Sequence, residues 1–596
     1  MSLLLAHFYT LKSPFFLKEI SDIHRTNPRG TQVSNSAYMS RAISVISMQQ
    51  NIGPSKTRST TFNDVDIHIR HAKELKNVKR ILFEKARESS VDGLYMIDMI
   101  QRLGIEHHFE EEIQEAVHNH YLKLGSSDPH VLQLSEVSLQ FRLLRQQHCH
   151  VDTGVFENFM DKEGKLRKEF WGIIEGLIEL FEASQLSIEG EDDLEEAGNF
   201  SHHLLSSWSS RFHDHNHHEA NVIANTLKFP IHRSLPRFTP RNFLIPNSQL
   251  NNNNGWLMAL ENLSQTSTQI VNSINLKEIY AVSKWWKDLG LAKELKFARD
   301  EPIKWYMWAM ACLTDPCFSE ERIELTKPLS LVYIIDDIFD VYGSMDELAL
   351  FVDAVQRWDL GATEQLPDYM QACFKALYDI TNEFSIKVQT KHGWNPIKTL
   401  IKSWIRLCNA FLEEAKWLSS GKLPNGEEYL KNGIVSTGVH VCLVHAFFML
   451  GDSMTNENVA LMDGFPTLIS STSTILRLCD DLEGVKDNDD QVGKDGSYLS
   501  CYMNDHPGVS VETASEHTKH KVSDAWKSLN KECFNPTNPF PSSFSKICLN
   551  VARMVPMMYS YDNSSQSRLE EHVKSLLYSG GDGIRETIQK DQTLMV

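Results

Sequence analysis

The 596-residue chain lacks several things that would have directed its reading elsewhere. Its ten cysteines are scattered, with no Cys-x-x-Cys pair. That excludes a dense disulfide framework, argues against a structural zinc site and fits a reducing compartment. There is no excess of basic charge. The 59 Lys and Arg face 78 Asp and Glu, for a net charge of −19, which argues against nucleic acid and anionic membrane surfaces as partners. No apolar run is long and clean enough to read as a membrane span. The longest, Ile434 to Leu450, carries Ser436, Thr437, His440 and His445 and reads as one buried core helix. Clean apolar–polar alternation is scarce, so strands are not expected. No Arg-Arg dipeptide occurs anywhere.

What is present reads as a soluble globular protein, 41% hydrophobic and 23% charged, too long for one ordinary core. Residues 1–55 are rich in Ser and Thr, with Lys12, Lys18, Arg25, Arg29 and Arg41 against only Glu19 and Asp22. That is transit-peptide composition, with a plain disordered tail as the alternative. Residues 56–250 read as a helical N-terminal domain, with apolar residues three and four apart at Leu94, Ile97, Ile100, Leu103 and Phe109. Turn signals fall at Gly125–Pro129, Asp161–Gly164 and Glu189–Asp192. Glu191-Asp-Asp-Leu-Glu-Glu196 reads as acids at a helix start. The polar stretch Pro246–Gly255 is the best linker, and residues 251–596 read as a second helical domain. His213, His215, His217 and His218 sit in a polar loop without zinc-site spacing.

The chemistry concentrates in Ser330-Leu-Val-Tyr-Ile-Ile-Asp-Asp-Ile-Phe-Asp340, an apolar run ending in three acids. On a helix Asp336 and Asp340 share a face, and Asp337 points about 100° away. Acids ending a buried helix are costly unless something positive neutralises them. Paired hard oxygens suit Mg²⁺, which completes its shell with water and phosphate; a solvated acidic helix end is the plain alternative. A second acidic stretch, Leu476-Arg-Leu-Cys-Asp-Asp-Leu-Glu-Gly-Val-Lys-Asp-Asn-Asp-Asp490, places Asp480, Gly484 and Asn488 at i, i+4 and i+8. Two such helices facing each other could clamp a diphosphate through metal ions. The aromatic cluster Trp305, Tyr306 and Trp308 offers ring faces for a cation, or is plain core.

Asp-Asp-Ile-Phe-Asp at 336–340, Arg-Leu-Cys-Asp-Asp-Leu-Glu-Gly-Val-Lys-Asp at 477–487 and Ala-Arg-Asp-Glu-Pro-Ile-Lys-Trp-Tyr-Met-Trp at 298–308 together resemble the class I terpene synthases of plants. Met96–Ile105, Phe141–Gln146 and Phe156–Lys165 extend the resemblance over almost the whole chain. It implies an all-α, two-domain fold with an α-barrel-like N-terminal domain and a catalytic C-terminal helical bundle. It also implies metal ligation by Asp336, Asp340, Asp480, Gly484 and Asn488. Substrate diphosphate would be held by Arg299, Arg477 and Lys494, with Trp305 facing the carbocation and Asp337 orienting the first acid cluster. Three Mg²⁺ are expected, with Mn²⁺ as the substitute ion.

The departures are specific. Glu301 stands where the family's loop carries a second arginine, Gly484 where Ser or Thr is usual, and Asn488 in place of Glu. Glycine leaves water as the ligand, and an amide brings no charge; Asp487 or Asp489 could substitute. Asp487-Asn-Asp-Asp490 also matches the acid pattern of protonation-initiated cyclases, by coincidence given its position. The missing tandem arginine resembles the branch making acyclic terpene alcohols. The expectation is therefore a monomeric plastid enzyme, with the cytosol as alternative. It would turn geranyl diphosphate into linalool, or farnesyl diphosphate into nerolidol, through ionisation and water capture. The rivals are a catalytically impaired isoprenoid-diphosphate binder and a prenyl chain-elongating synthase. Trp305, Ser436, Thr437 and Tyr559 are expected to shape the pocket.

Overall fold

A computed structural model describes residues 58–88, 91–123, 133–163, 165–210, 218–239, 255–452, 454–484 and 496–559. The segment 1–55, most of the 246–255 linker, the histidines at 213–217, and Asn488 and Lys494 with their neighbours lie outside the described residues. Among the described residues the chain is helical, with one isolated antiparallel bridge between Met160 and Leu166.

The N-terminal part holds α1 (Arg58–Glu88), α2 (Val91–Arg102), α3 (Glu110–Lys123), α4 (Leu134–Gln146), α5 (Ile174–Ser184), α6 (Asp192–Ser209) and α7 (His218–Lys228). The C-terminal part begins with α8 (Gly255–Leu289) and α9 (Leu291–Glu294), then α10 (Pro302–Cys312) and α11 (Ser319–Asp337). It continues with α12 (Met345–Arg357), α13 (Asp368–His392), α14 (Ile397–Ser420), α15 (Gly426–Ser436) and α16 (Val439–Leu450). It closes with α17 (Asn456–Asp463), α18 (Thr467–Gly484), α19 (Tyr498–Asp505), α20 (Val511–Phe534) and α21 (Ser542–Met558). Reciprocal capping boxes start α12 (Ser344 with Glu347) and α15 (Asn425 with Glu428), satisfying first-turn N–H groups that would otherwise lack partners. As the acids at 191–196 suggest, α6 begins at Asp192.

Apolar side chains form one core over residues 75–263 and two large ones in the C-terminal part. α8 belongs to both: Leu257, Leu260 and Leu263 pack into the N-terminal core, whereas Ile279, Val282 and Trp286 pack into the C-terminal ones. The two parts are also tied by polar contacts. Asn530 donates to the carbonyls of Gln185 and Ser187 at 3.0 Å each, and Arg553 Nε donates to the His232 carbonyl at 2.7 Å.

One expectation is corrected. Ile434–Leu450 is not a single helix: α15 stops at Ser436, and Gly438 takes a left-handed φ of +69° before α16 begins. Only glycine adopts that conformation without strain. A Cβ there would also stand 2.3 Å from Val332 Cγ1 of α11. The enclosing stretch Gly426–Leu450 is long and apolar enough to cross a membrane, but 78% of its most apolar window is buried inside the protein.

Candidate active site

The site is built where α11, α14, α15 and α18 converge. α11 is buried along Leu331, Ile334 and Ile335, and its α-helical ladder ends at Asp337. Residues Ile338–Tyr342 then form one π-helical turn rather than the continued α-helix expected. The wider turn advances each residue by less than the α-helical 100°, so Asp340 still returns beside Asp336, and such turns recur at functional sites. Burial, then the charges of Asp336 and Glu414, push the Asp340 carboxyl well above the usual carboxylate range. Its Oδ2 is buried and accepts no hydrogen bond. Asp337 points elsewhere, as the sequence suggests. Its Oδ2 accepts the Arg299 backbone N–H at 2.7 Å, and its Oδ1 lies 2.9 Å from Arg299 Nε.

Arg299 therefore reaches the acid cluster from the loop before α10. Its guanidinium also donates to Asp336 Oδ2 at 2.5 Å and to the Tyr333 carbonyl at 3.2 Å. Burial alone would lower its pKa, but Asp336 and Asp337 outweigh that and hold the charge firmly. Glu301, which stands where the family's loop carries a second arginine, pairs with Lys304 at 3.4 Å. Trp305 is fully buried, edge-on to Trp286 at 4.8 Å and stacked 6.3 Å from Tyr333. Tyr333 touches both Trp305 and the site: its ring is 4.9 Å from the Arg299 guanidinium, and its hydroxyl accepts from Trp308 Nε1 at 2.8 Å. The structure thus makes Trp305 a brace behind Tyr333, not an open ring face.

On the facing helix, Arg477 is buried and pairs with Asp480 and, at 2.8 Å, with Asp481. Asp481 also accepts the Tyr429 hydroxyl and the Tyr498 backbone N–H, both at 3.0 Å. It thereby ties α18 to α15 and to the point where the chain re-enters at α19. Gly484 ends α18. Tyr559 follows α21, and burial together with the nearby charges of Asp480 and Tyr333 raises its phenol well above its usual range.

Sequence reasoning missed Glu414. It lies on α14, 4% exposed, with Oε1 accepting from Ser436 Oγ at 2.7 Å and Oε2 buried without a partner. Burial pushes its carboxyl up to about 7, with Asp336 raising it and Ser436 and Arg477 opposing. Glu413-Glu414 on a surface-looking helix gave no warning; an apolar stripe placing Glu414 inward was the only available signal.

No three His, Cys, Asp or Glu side chains among the described residues are gathered closely enough to cage an ion by themselves. The donors nonetheless fit Mg²⁺: two neighbouring carboxylates, one with a buried unpartnered oxygen, suit an ion that takes one or two protein oxygens and leaves the rest to water and phosphate.

Among the described residues the chain is all-α and in two parts, and facing helix ends bring acids and buried arginines together, a donor set suited to divalent metal ions. Residues 287–528 match the terpene synthase family metal binding domain and residues 47–227 the terpene synthase N-terminal domain. The chain belongs to the terpene synthase family. It is 52% identical to the chloroplastic neryl diphosphate diphosphatase of Glycine max, over 86% of this chain and 95% of that one. It is 44% identical to the chloroplastic S-(+)-linalool synthase of Arabidopsis thaliana, over 86% and 89%. Among solved structures, isoprene synthase from grey poplar, in complex with three Mg²⁺ ions and dimethylallyl-S-thiolodiphosphate, superposes with a TM-score of 0.77. It is 31% identical, over 85% of this chain and 96% of that one.

Proposed function

We propose that this terpene synthase ionises geranyl diphosphate and lets water capture the allylic cation, releasing the acyclic monoterpene alcohol linalool. The observation that carries the reading is the pair of opposed flanks. One is an acid pair with an unsatisfied oxygen; the other is an arginine-bearing helix, and Arg299 stands beside the first.

Asp336 and Asp340 would hold Mg²⁺ on one flank, and Asp480, a water at Gly484 and Asn488 or a neighbouring acid on the other, with three ions in all. Ions held by these residues would supply positive charge against that developing on the departing diphosphate. Arg299 and Arg477 donate hydrogen bonds to the same oxygens, preorganised and permanently charged, and Lys494 adds a third cation. Asp337 fixes Arg299 through both its backbone and its guanidinium. Tyr333 and Tyr559 line the apolar side, with Trp305 setting the angle of Tyr333. Ser436 and Thr437, at the break before Gly438, shape the far wall.

The absent tandem arginine and the likeness to a linalool synthase support an acyclic product. The higher identity to a neryl diphosphate diphosphatase favours a second reading, in which water captures the primary carbon of neryl diphosphate to give nerol. The composition of residues 1–55 and the chloroplastic names of both relatives support a plastid location; a cytosolic enzyme would meet farnesyl diphosphate and give nerolidol.

The test is incubation with Mg²⁺ and, separately, geranyl, neryl and farnesyl diphosphate, with volatiles resolved on a chiral column. A single acyclic alcohol from geranyl diphosphate supports the first reading, and nerol from neryl diphosphate the second. Mainly cyclic products overturn both. Binding without diphosphate release would make the chain an impaired binder, and chain growth on added isopentenyl diphosphate would make it an elongating synthase.

A further inference from the structure

Glu414 is a carboxyl without an assignment at the centre of the site. Ser436 Oγ donates to its Oε1 at 2.7 Å, which orients the carboxyl from the helix break. Oε2 is buried and accepts nothing. The charged and titratable groups that reach it come from every side: Asp336 on α11, Asp340 on the π turn, Arg477 on α18 and Tyr429 on α15. A buried acceptor left open costs free energy unless a donor fills it, and the small donor that fits a polar site of this kind is water. No metal-motif or diphosphate role claims this oxygen.

We infer that Glu414 holds the nucleophilic water through Oε2 and takes its proton, so that the enzyme makes an alcohol and not a hydrocarbon. This rests on the water-capture reading above. As the C–O bond to diphosphate breaks with its electron pair, the allylic cation forms. The water oxygen forms a new C–O bond to that cation, one O–H bond breaks, and the proton passes to Oε2. The neutral alcohol leaves, and the carboxylic acid returns its proton to solvent when the site opens. Without this acceptor the cation loses a C–H proton to the departing diphosphate, and the product is an acyclic triene. A carboxyl that titrates near neutrality is matched to such a base.

The test compares wild type with Glu414→Gln and Ser436→Ala. Diphosphate release is measured alongside the alcohol-to-hydrocarbon ratio from geranyl diphosphate, in water enriched in ¹⁸O. The amide keeps the size of the side chain and the hydrogen bond from Ser436 but cannot take a proton. The expected result is diphosphate release within a few-fold of wild type, with the ratio falling about tenfold or more. Ser436→Ala, which keeps the carboxyl but frees its orientation, should give an intermediate ratio. An unchanged ratio in both variants overturns the inference. So does loss of diphosphate release and alcohol in parallel in Glu414→Gln with an unchanged ratio in Ser436→Ala, because that pattern marks a merely structural group. A wild-type enzyme that makes no ¹⁸O-labelled alcohol would instead overturn the water-capture reading itself.

Discussion

The two acid-bearing helix ends face each other but are neutralised differently. On α18, Arg477 sits on the same helix as its partners, one turn before Asp480 and Asp481, and Asp481 is closed off by Tyr429 and Tyr498 as well. At the acid end of α11 the paired guanidinium, Arg299, comes from another element and is shared between Asp336 and Asp337, leaving Asp340 with an open oxygen and a raised pKa. Sequence alone made the first motif look the more complete of the two. In the fold it is the one with charge left over, whereas on the second Asp480 would share its charge between Arg477 and an ion.

That contrast predicts where each flank breaks. Asp336→Ala should cost about 10²–10³-fold in kcat/KM with little change in stability, because it removes a group that acts on charge developing in the reaction. Chelation of divalent metal should likewise abolish turnover, and Mg²⁺ should restore it. Arg477→Met should cost stability as well, about 3–5 kcal/mol, because it strands Asp481 in the interior without its counter-charge. Urea unfolding of both variants checks this, and equal stability losses would erase the contrast. Gly438→Ala should have a smaller effect, about 1–3 kcal/mol. It demands a left-handed conformation of alanine and pushes a methyl onto Val332, one turn before Asp336. Its unfolding midpoint and its product spectrum should shift together.

How much of this was legible depended on whether a feature was local. Helical period and the acids at 191–196 are properties of neighbouring residues, and so is the all-α character of the described residues. The different contacts of Asp336 and Asp337, the latter alone accepting the Arg299 backbone N–H, accord with the 100° step between them. What failed needed a partner distant in sequence. The π turn after Asp337 packs against α14 and the break at Gly438 sits against Val332 of α11, contacts distant in sequence, and the apolar run 434–450 carried no hint beyond one glycine. Trp305 looked like an open ring because nothing in its own neighbourhood says that Trp286 and Tyr333 cover it. Glu414 and Asp481 were invisible for the same reason: their roles are set by Ser436, Tyr429 and Tyr498, none of which is adjacent to them.

The least effect, and the most direct probe of the leftover charge, is the pH dependence of Glu414. Its carboxyl sits at about 7 in the fold against an ordinary 4.5, raised first by burial and then by Asp336. The folded protein therefore keeps a proton that the unfolded chain gives up above pH 4.5. Whatever stability that proton supplies is present below 4.5, falls as pH rises through about 7, and is gone above it. Glutamine at 414 carries no such proton. The Tm of wild type minus that of Glu414→Gln should thus decline between pH 5 and pH 7.5, by on the order of 1–2 °C. Mg²⁺ beside Asp336 and Asp340 favours the ionised carboxyl, so its addition should move the decline to lower pH. A difference that stays flat over the whole range would mean that Glu414 is already ionised without metal, and that the α11 flank is no less neutralised than the α18 flank opposite.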